Sequence, residues 1–367
     1  MKGSDKRYKE KIFCNELKNE RERNMKKVII FLIVVALAVS MTLMGAACKA
    51  ATTTTTAAET TAAATTAAAT TAAATTAAET TAAKQRTIGV SLILASIPHC
   101  QAIAQAVKDV AEAKGDKVIV LDEEVKVEKE ITNIEDFIAQ KVDGIVLDAI
   151  SFDATEAALK AAKEANIPVA AIDNMVKNQD LVISNNTSDN YMAGVLCAED
   201  MAKKTQTGSV VILTNSTADA CIQRVNGFKE TLAKKAPGIK IELEAETKAD
   251  IAAITTQVED LLQRFPKLTG FFGCSDREGV GASAAFVSAG IDPKMVYSVD
   301  GNPDMIKLII DGKAGGTVAQ DPYTMGKMAI ENLYLYFDGV ALTAEQKSSK
   351  VPVVWIGPEN AKDFDTE

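Results

Sequence analysis

The segment VYSVDGNPDMIKLIIDGKAGGTVAQDPY, residues 296–323, decides the fold. It holds an apolar run closing on Asp300, a helix-length stretch, a turn at Gly315-Gly316, and a second apolar run closing on Gln320 just before Pro322. Strand, helix and strand in that order form a crossover unit that pairs its two strands in parallel. In open parallel sheets, ligands bind in the crevice beyond the carboxyl ends of the strands. Asp300 and Gln320 are therefore candidates to reach one ligand together.

The same alternation extends outward from this segment. Upstream, strand-like runs fall at 88–94, 117–121, 144–147 and 167–173, with helical stretches at 102–114, 129–140 and 153–165. The middle stretch places Ile131, Ile134, Phe137 and Ile138 on one helical face. After a short run at 181–184 the pattern restarts, with strands at 209–214, 239–243, 270–273 and 296–299 and helices near 191–204, 221–234, 251–264 and 279–289. Near-continuous apolar strands separated by helices imply parallel sheets covered on both faces. Two such runs predict an α/β fold of two similar doubly wound parallel-sheet lobes. A helix at 323–337 and a final strand at 351–356 follow, and are expected to return to the first lobe.

Composition excludes several functions. A chain of 367 residues with 47% hydrophobic content has room for two sizeable cores. One His and six Cys leave little material for His-based catalysis or a Cys/His metal cluster, and no cofactor or metal is expected. Of the 40 basic and 49 acidic residues, 10 and 5 lie in residues 1–47, leaving 30 against 44 and a net charge of −14 beyond them. An acidic body argues against nucleic acid as a partner.

The N-terminal part reads as export and attachment. Residues 1–24 are polar and aperiodic, either an upstream misread ahead of a true start at Met25 or a cytosolic tail. Residues 25–47 follow the signal-peptide pattern: Lys26-Lys27, an apolar run at 28–44, then Gly45-Ala46-Ala47 before Cys48. That junction resembles the lipobox of bacterial lipoproteins, which makes Cys48 the expected lipid attachment, although Gly45 stands where Leu is usual. The alternative is an uncleaved transmembrane anchor, since 17 apolar residues are near the lower limit for a span. Either way the remainder sits tethered on the outer face of the cell membrane. Residues 51–84 are almost entirely Thr and Ala in a five-residue repeat that suits neither helix nor strand, so 48–84 reads as a tether.

Five stretches carry a wider resemblance: ANIPVAAIDN at 165–174, TSDNYMAG at 187–194, QRVNGF at 223–228, VDGNPD at 299–304 and GTVAQDP at 316–322. In order and spacing they are similar to the ribose-binding protein group of the type I periplasmic-binding-protein superfamily, the extracytoplasmic sugar-binding proteins of ABC transporters. The resemblance runs from Gln85 to the C-terminus. It implies one lobe from 85–187 plus 321–349 and another from 188–320 plus 350–367, with crossovers near Thr187-Ser188, Gln320-Asp321 and Ser348 to Val351. It also implies a monomer that delivers a sugar or related polyol to permease subunits, and no enzymatic activity.

The site carried over by the resemblance agrees with the strand ends. Asp173 and Asp300 match carboxylates that accept from sugar hydroxyls, Arg224 matches an arginine able to donate to two oxygens, and Gln320 matches a hinge residue that reaches the ligand. Asn174 and Ser275 fall at contact positions with altered residue types, and Ser96 and Asp276 are further polar candidates. His99 and Cys100 stand where stacking aromatics are expected, and another aromatic position falls on Ala249. Asp before a helix is often only a cap; convergence of residues from separate loops favours a site. The altered first loop also admits nucleosides or cyclitols, and a sensor role for chemotaxis or signalling remains the alternative to transport.

Other functions fit the residues poorly. Gly279, Gly281 and Ala284 superficially fit a dinucleotide fingerprint, but lie inside a helix rather than in the turn that follows a strand. Gly273-Cys274-Ser275 lacks the final glycine of a nucleophile elbow. A repressor would carry a helix-turn-helix where the export signal and tether stand. Cys100, Cys197, Cys221 and Cys274 lack metal-ligand spacing; Cys221 and Cys274 either pair or all four stay free.

Overall fold

The computed structural model describes residues 84–248 and 250–364. The expected signal segment, Cys48, the tether up to residue 83 and Ala249 lie outside the described residues. The first lobe is built from β1 (Thr87–Leu92), α1 (Pro98–Ala113), β2 (Lys117–Asp122), α2 (Val127–Gln140), β3 (Gly144–Asp148), α3 (Glu156–Glu164), β4 (Val169–Ile172) and β5 (Ser184–Ser188). The second lobe follows with α4 (Asn190–Lys204), β6 (Thr207–Thr214), α5 (Asp219–Lys235), β7 (Gly238–Glu246), α6 (Ile251–Arg264) and β8 (Gly270–Gly273). It continues with α7 (Asp276–Ser288), β9 (Val296–Asp300), α8 (Pro303–Ile310) and β10 (Gly316–Ala319). The chain then returns through α9 (Pro322–Phe337), α10 (Ala344–Lys347) and β11 (Ser348–Val351) before β12 (Val354–Ile356).

The two sheets repeat one plan. Their strand orders are β11-β5-β4-β3-β1-β2 and β12-β10-β9-β8-β6-β7, all parallel except β12, which runs antiparallel to β10 with Thr317 opposite Ile356. Helices pack both faces of each sheet. In the first lobe Ile103, Val107, Ile330 and Leu333 cover one face of β1 and β3, and Ile134, Phe137 and Leu159 cover the other. In the second, Phe228 stacks on Phe272 at 4.3 Å on one side, while Phe286 and Val258 fill the opposite side. The order of strand addition reverses at β1 and at β6, which places the ligand crevice of such sheets at those carboxyl ends.

Two expected elements differ from the structure. The run at 181–184 is a 3-10 turn, Gln179–Leu181, followed by β5, whose Ser-Asn-Asn-Thr-Ser sequence is buried throughout. Such a strand has no apolar signature; it survives burial because its side chains satisfy one another. Asn186 donates to Ser184 at 3.1 Å and accepts from Ser349 at 2.7 Å. The expected strand at 351–356 is two strands in different sheets. Pro352 has no N–H to continue a ladder, and the chain crosses from β11 to β12 there.

Helices α4 and α5 touch at Gly194 and Gly227, and a Cβ on Gly194 would sit inside contact distance of the Arg224 carbonyl oxygen. Gly194→Ala must therefore push away the helix that carries Arg224. Overpacking of this kind costs about 1–3 kcal/mol. A urea melt is expected to show that loss, together with weaker ligand binding; an unchanged midpoint would show that the helices have slack.

Candidate ligand-binding site

The carboxyl ends of both sheets face each other across a cleft of about 160 Å³. Asp173 follows β4 and Asp300 ends β9, and both adopt positive φ, 61° and 145°. Backbone strain of this kind persists where the surroundings hold a functional group in place. The result is one carboxylate from each lobe at the cleft wall.

Arg224 on α5 is only 4% exposed and is fully committed in direction. Its Nε donates to Asn190 Oδ1 at 2.8 Å, and its Nη1 donates to the Cys274 carbonyl oxygen at 2.8 Å and to Asp300 Oδ1 at 3.3 Å. Asp300 Oδ1 also accepts from Gln320 Nε2 at 2.7 Å, and its Oδ2 accepts from the Asp276 backbone N–H at 3.2 Å. The Ser188 hydroxyl, at the end of β5, donates to Gln320 Oε1 at 2.9 Å. A continuous chain of hydrogen bonds thus joins the first lobe's hinge strand to the second lobe's carboxylate.

His99 enters from the first turn of α1. Its Nε2 lies 3.5 Å from Asp173 Oδ1, an ion-pair separation, yet neither atom completes a hydrogen bond. Buried polar atoms are nearly always satisfied, and here the ion pair with each other is what compensates these two. Burial works to lower the His99 pKa, but Asp173, Asp300 and Asp148 together outweigh it and hold the value at about 9. Burial works to raise the Asp173 pKa, and the His99 and Arg224 charges more than reverse it. For Asp300 burial prevails over Arg224 and the value is raised. The cleft therefore presents an imidazolium and a guanidinium to two carboxylates.

The remaining candidates divide by position. Ser275 lines the cleft, but its hydroxyl donates to Glu278 Oε2 at 2.5 Å and accepts from the Glu278 backbone N–H in the capping box of α7. Asn174 also lines the cleft, yet its Nδ2 donates to the Ala149 carbonyl oxygen at 2.9 Å and its Oδ1 accepts from the Ala220 N–H at 3.3 Å. Its amide bridges the lobes instead of standing open to ligand. Three expected contacts are corrected. Cys100 is fully buried behind the wall and donates to Asp148 at 3.5 Å. Ser96 is exposed and its carbonyl oxygen accepts from Gln101 at 3.1 Å. Asp276 lies under the cleft floor, where Ser298, Thr317 and the Asn302 N–H saturate its carboxylate at 2.5, 2.6 and 2.7 Å.

Sequence reasoning missed Asp148, Glu278 and Asn190. Asp148 ends β3 just as Asp300 ends β9, so the strand-end rule applied evenly would have found it. Glu278 was visible as the fourth residue of Ser275-Asp276-Arg277-Glu278, a capping-box spacing. Asn190 carried no signal apart from Asp189, the cap before it. Ile93, Leu94, Ile97 and Val125 form the apolar part of the wall, and no Phe, Tyr or Trp lines the cleft among the described residues.

Comparison with known proteins agrees with this geometry. Residues 88–340 match the model of the periplasmic binding protein domain. The ribose import binding protein of Escherichia coli (strain K12) is 31% identical over 256 residues, covering 68% of this chain and 83% of that protein. That of Bacillus subtilis (strain 168) is 29% identical over 251 residues, covering 68% and 80%. Among solved structures, a galactofuranose binding protein superposes with a TM-score of 0.70 at 27% identity, covering 76% of this chain and 97% of that one. The binding protein of the arabinose ABC transporter from Shewanella sp. ANA-3, bound to α- and β-L-arabinofuranose, also gives 0.70 at 27% identity, covering 76% and 94%.

Proposed function

This chain belongs to the periplasmic binding protein family, in its ribose-binding-like group, and we propose that it captures one compact, neutral, polyhydroxylated molecule between its lobes and hands it to an ABC-transporter permease. The observation that carries the reading is the convergence of Asp173 and His99 from one lobe with Asp300, Arg224 and Gln320 from the other on a single cleft. A hydroxyl can donate to a carboxylate while accepting from a cation, so paired opposite charges suit neutral polyols. A cleft of about 160 Å³ suits a monosaccharide rather than a disaccharide. Relatives named for ribose, galactofuranose and arabinose support the same class. Without aromatic rings for stacking among the described lining residues, hydrogen bonds and the aliphatic wall carry the affinity.

In this reading the body works outside the cytoplasm as a monomer, attached through lipid on Cys48, and the energy comes from an ATPase on a separate chain. In proteoliposomes holding the cognate permease and ATPase, the loaded protein is expected to stimulate ATP hydrolysis several-fold and to drive uptake of labelled monosaccharide. Binding with neither effect would remove the transport role and leave a sensor.

A further inference from the structure

Cys221 and Cys274 are the two cysteines that line the ligand cleft. Cys221 lies in the first turn of α5 and is half-buried; Cys274 follows β8 and is 2% exposed. Arg224, three residues after Cys221 on the same helix, donates to the carbonyl oxygen of Cys274 itself at 2.8 Å, which draws that helical turn onto the strand end. The Cys274 thiol donates to Glu278 Oε2 at 3.9 Å and has the Cys221 side chain as a neighbour. The other described thiols have separate partners, Cys100 on Asp148 at 3.5 Å and Cys197 on the Ser298 carbonyl oxygen at 3.4 Å.

We propose that Cys221 and Cys274 form a redox modification site in the cleft wall, closing to an intramolecular disulfide by exchange with a small-molecule disulfide that enters the open cleft. The Cys221 thiolate attacks one sulfur of the small disulfide, forms a mixed disulfide, and releases one small thiol carrying the proton that Cys221 lost. Cys274 then attacks the Cys221 sulfur, the bond to the small molecule breaks, and a second small thiol departs with the Cys274 proton. The protein loses two electrons and two hydrogens, and the small disulfide gains them. Cys221 is the more exposed of the two, while its proximity and burial hold the Cys274 thiol well above its ordinary pKa, so Cys221 attacks and Cys274 resolves. The product pins the helical turn that precedes Arg224 to the strand end that carries Ser275. A compartment outside the cytoplasm, where the family operates, permits such bonds.

Incubation of the folded, reduced protein with oxidised glutathione, followed by alkylation and peptide mapping, tests this without any sugar ligand and so independently of the transport reading. The expected result is loss of two hydrogens, one cross-linked peptide pair joining Cys221 to Cys274, and a melting temperature about 5 °C higher, reversed by dithiothreitol. Cys274→Ser is expected to stop at one glutathione adduct on Cys221. Wild-type protein that keeps both thiols alkylatable under these conditions, or that cross-links through Cys100 or Cys197, overturns the proposal.

Discussion

Asp300→Ala and Arg224→Ala are each expected to weaken ligand binding at least ~30-fold, or about 2 kcal/mol, measured by titration calorimetry against whichever monosaccharide the wild type binds. The two side chains form a pair at 3.3 Å with Arg224 buried and Asp300 partly so, and removing either one leaves the other's charge uncompensated in the cleft wall. Loss of one partner of a buried ion pair is costly for that reason. Asp300→Ala also strips Gln320 Nε2 of its acceptor at 2.7 Å, which frees the hinge amide from the site. Ser188→Ala probes the next link outward and is expected to cost less, because Gln320 keeps Asp300. Undiminished affinity in both Asp300→Ala and Arg224→Ala would remove this cleft as the ligand site.

Raising the pH from 7 to 9 is expected to lower stability by roughly 3 kcal/mol through Glu123 alone, and Glu123→Gln is expected to remove that share of the dependence. Glu123 is completely buried and neither carboxylate oxygen has a hydrogen-bond partner. Burial, then the neighbouring Glu130 and Asp148, push its pKa from 4.5 to about 10. Glu130 is buried beside the Ile150 N–H and pushed up to about 7, chiefly by burial. The folded state therefore holds protons that the unfolded chain has already released. Stability falls with pH wherever the folded state binds more protons, here from about 4.5 to about 10. His99 acts in the same direction: its folded value of about 9 exceeds 6.5, so its contribution is complete below 6.5 and lost as pH rises through 9. Urea melts of wild type and Glu123→Gln at pH 7 and 9 measure the difference. Parallel loss of stability in both proteins would show that Glu123 is not the group responsible.

Much of this architecture was legible because apolar strands buried on both faces announce themselves. Ile145, Val146 and Leu147, or Phe271 and Phe272, have no other role than to sit between helices. The strand β5 was not legible, since its central Asn186 is satisfied by partners far along the chain, Ser349 and Asn332. The site was readable where a carboxylate ends a strand, as at Asp173 and Asp300. It was misread where position in a motif stood in for direction of the side chain. Asp276 belongs to the same loop as Ser275, but it turns down to Ser298 and Thr317 while Ser275 faces the cleft. Cys100 adjoins His99 on one helix, and a single residue step turns its side chain through a quarter-turn or more, from the cleft into the core.

The most direct measurement is titration calorimetry of the reduced protein at pH 7 against a panel of pentoses and hexoses, with disaccharides, nucleosides and amino acids as competitors for the same assignment. One neutral monosaccharide or cyclitol is predicted to bind at one site per chain, in the cleft of about 160 Å³. Binding confined to amino acids or to charged ligands would contradict the account, because the cleft would then be balancing a ligand's charge rather than satisfying its hydroxyls.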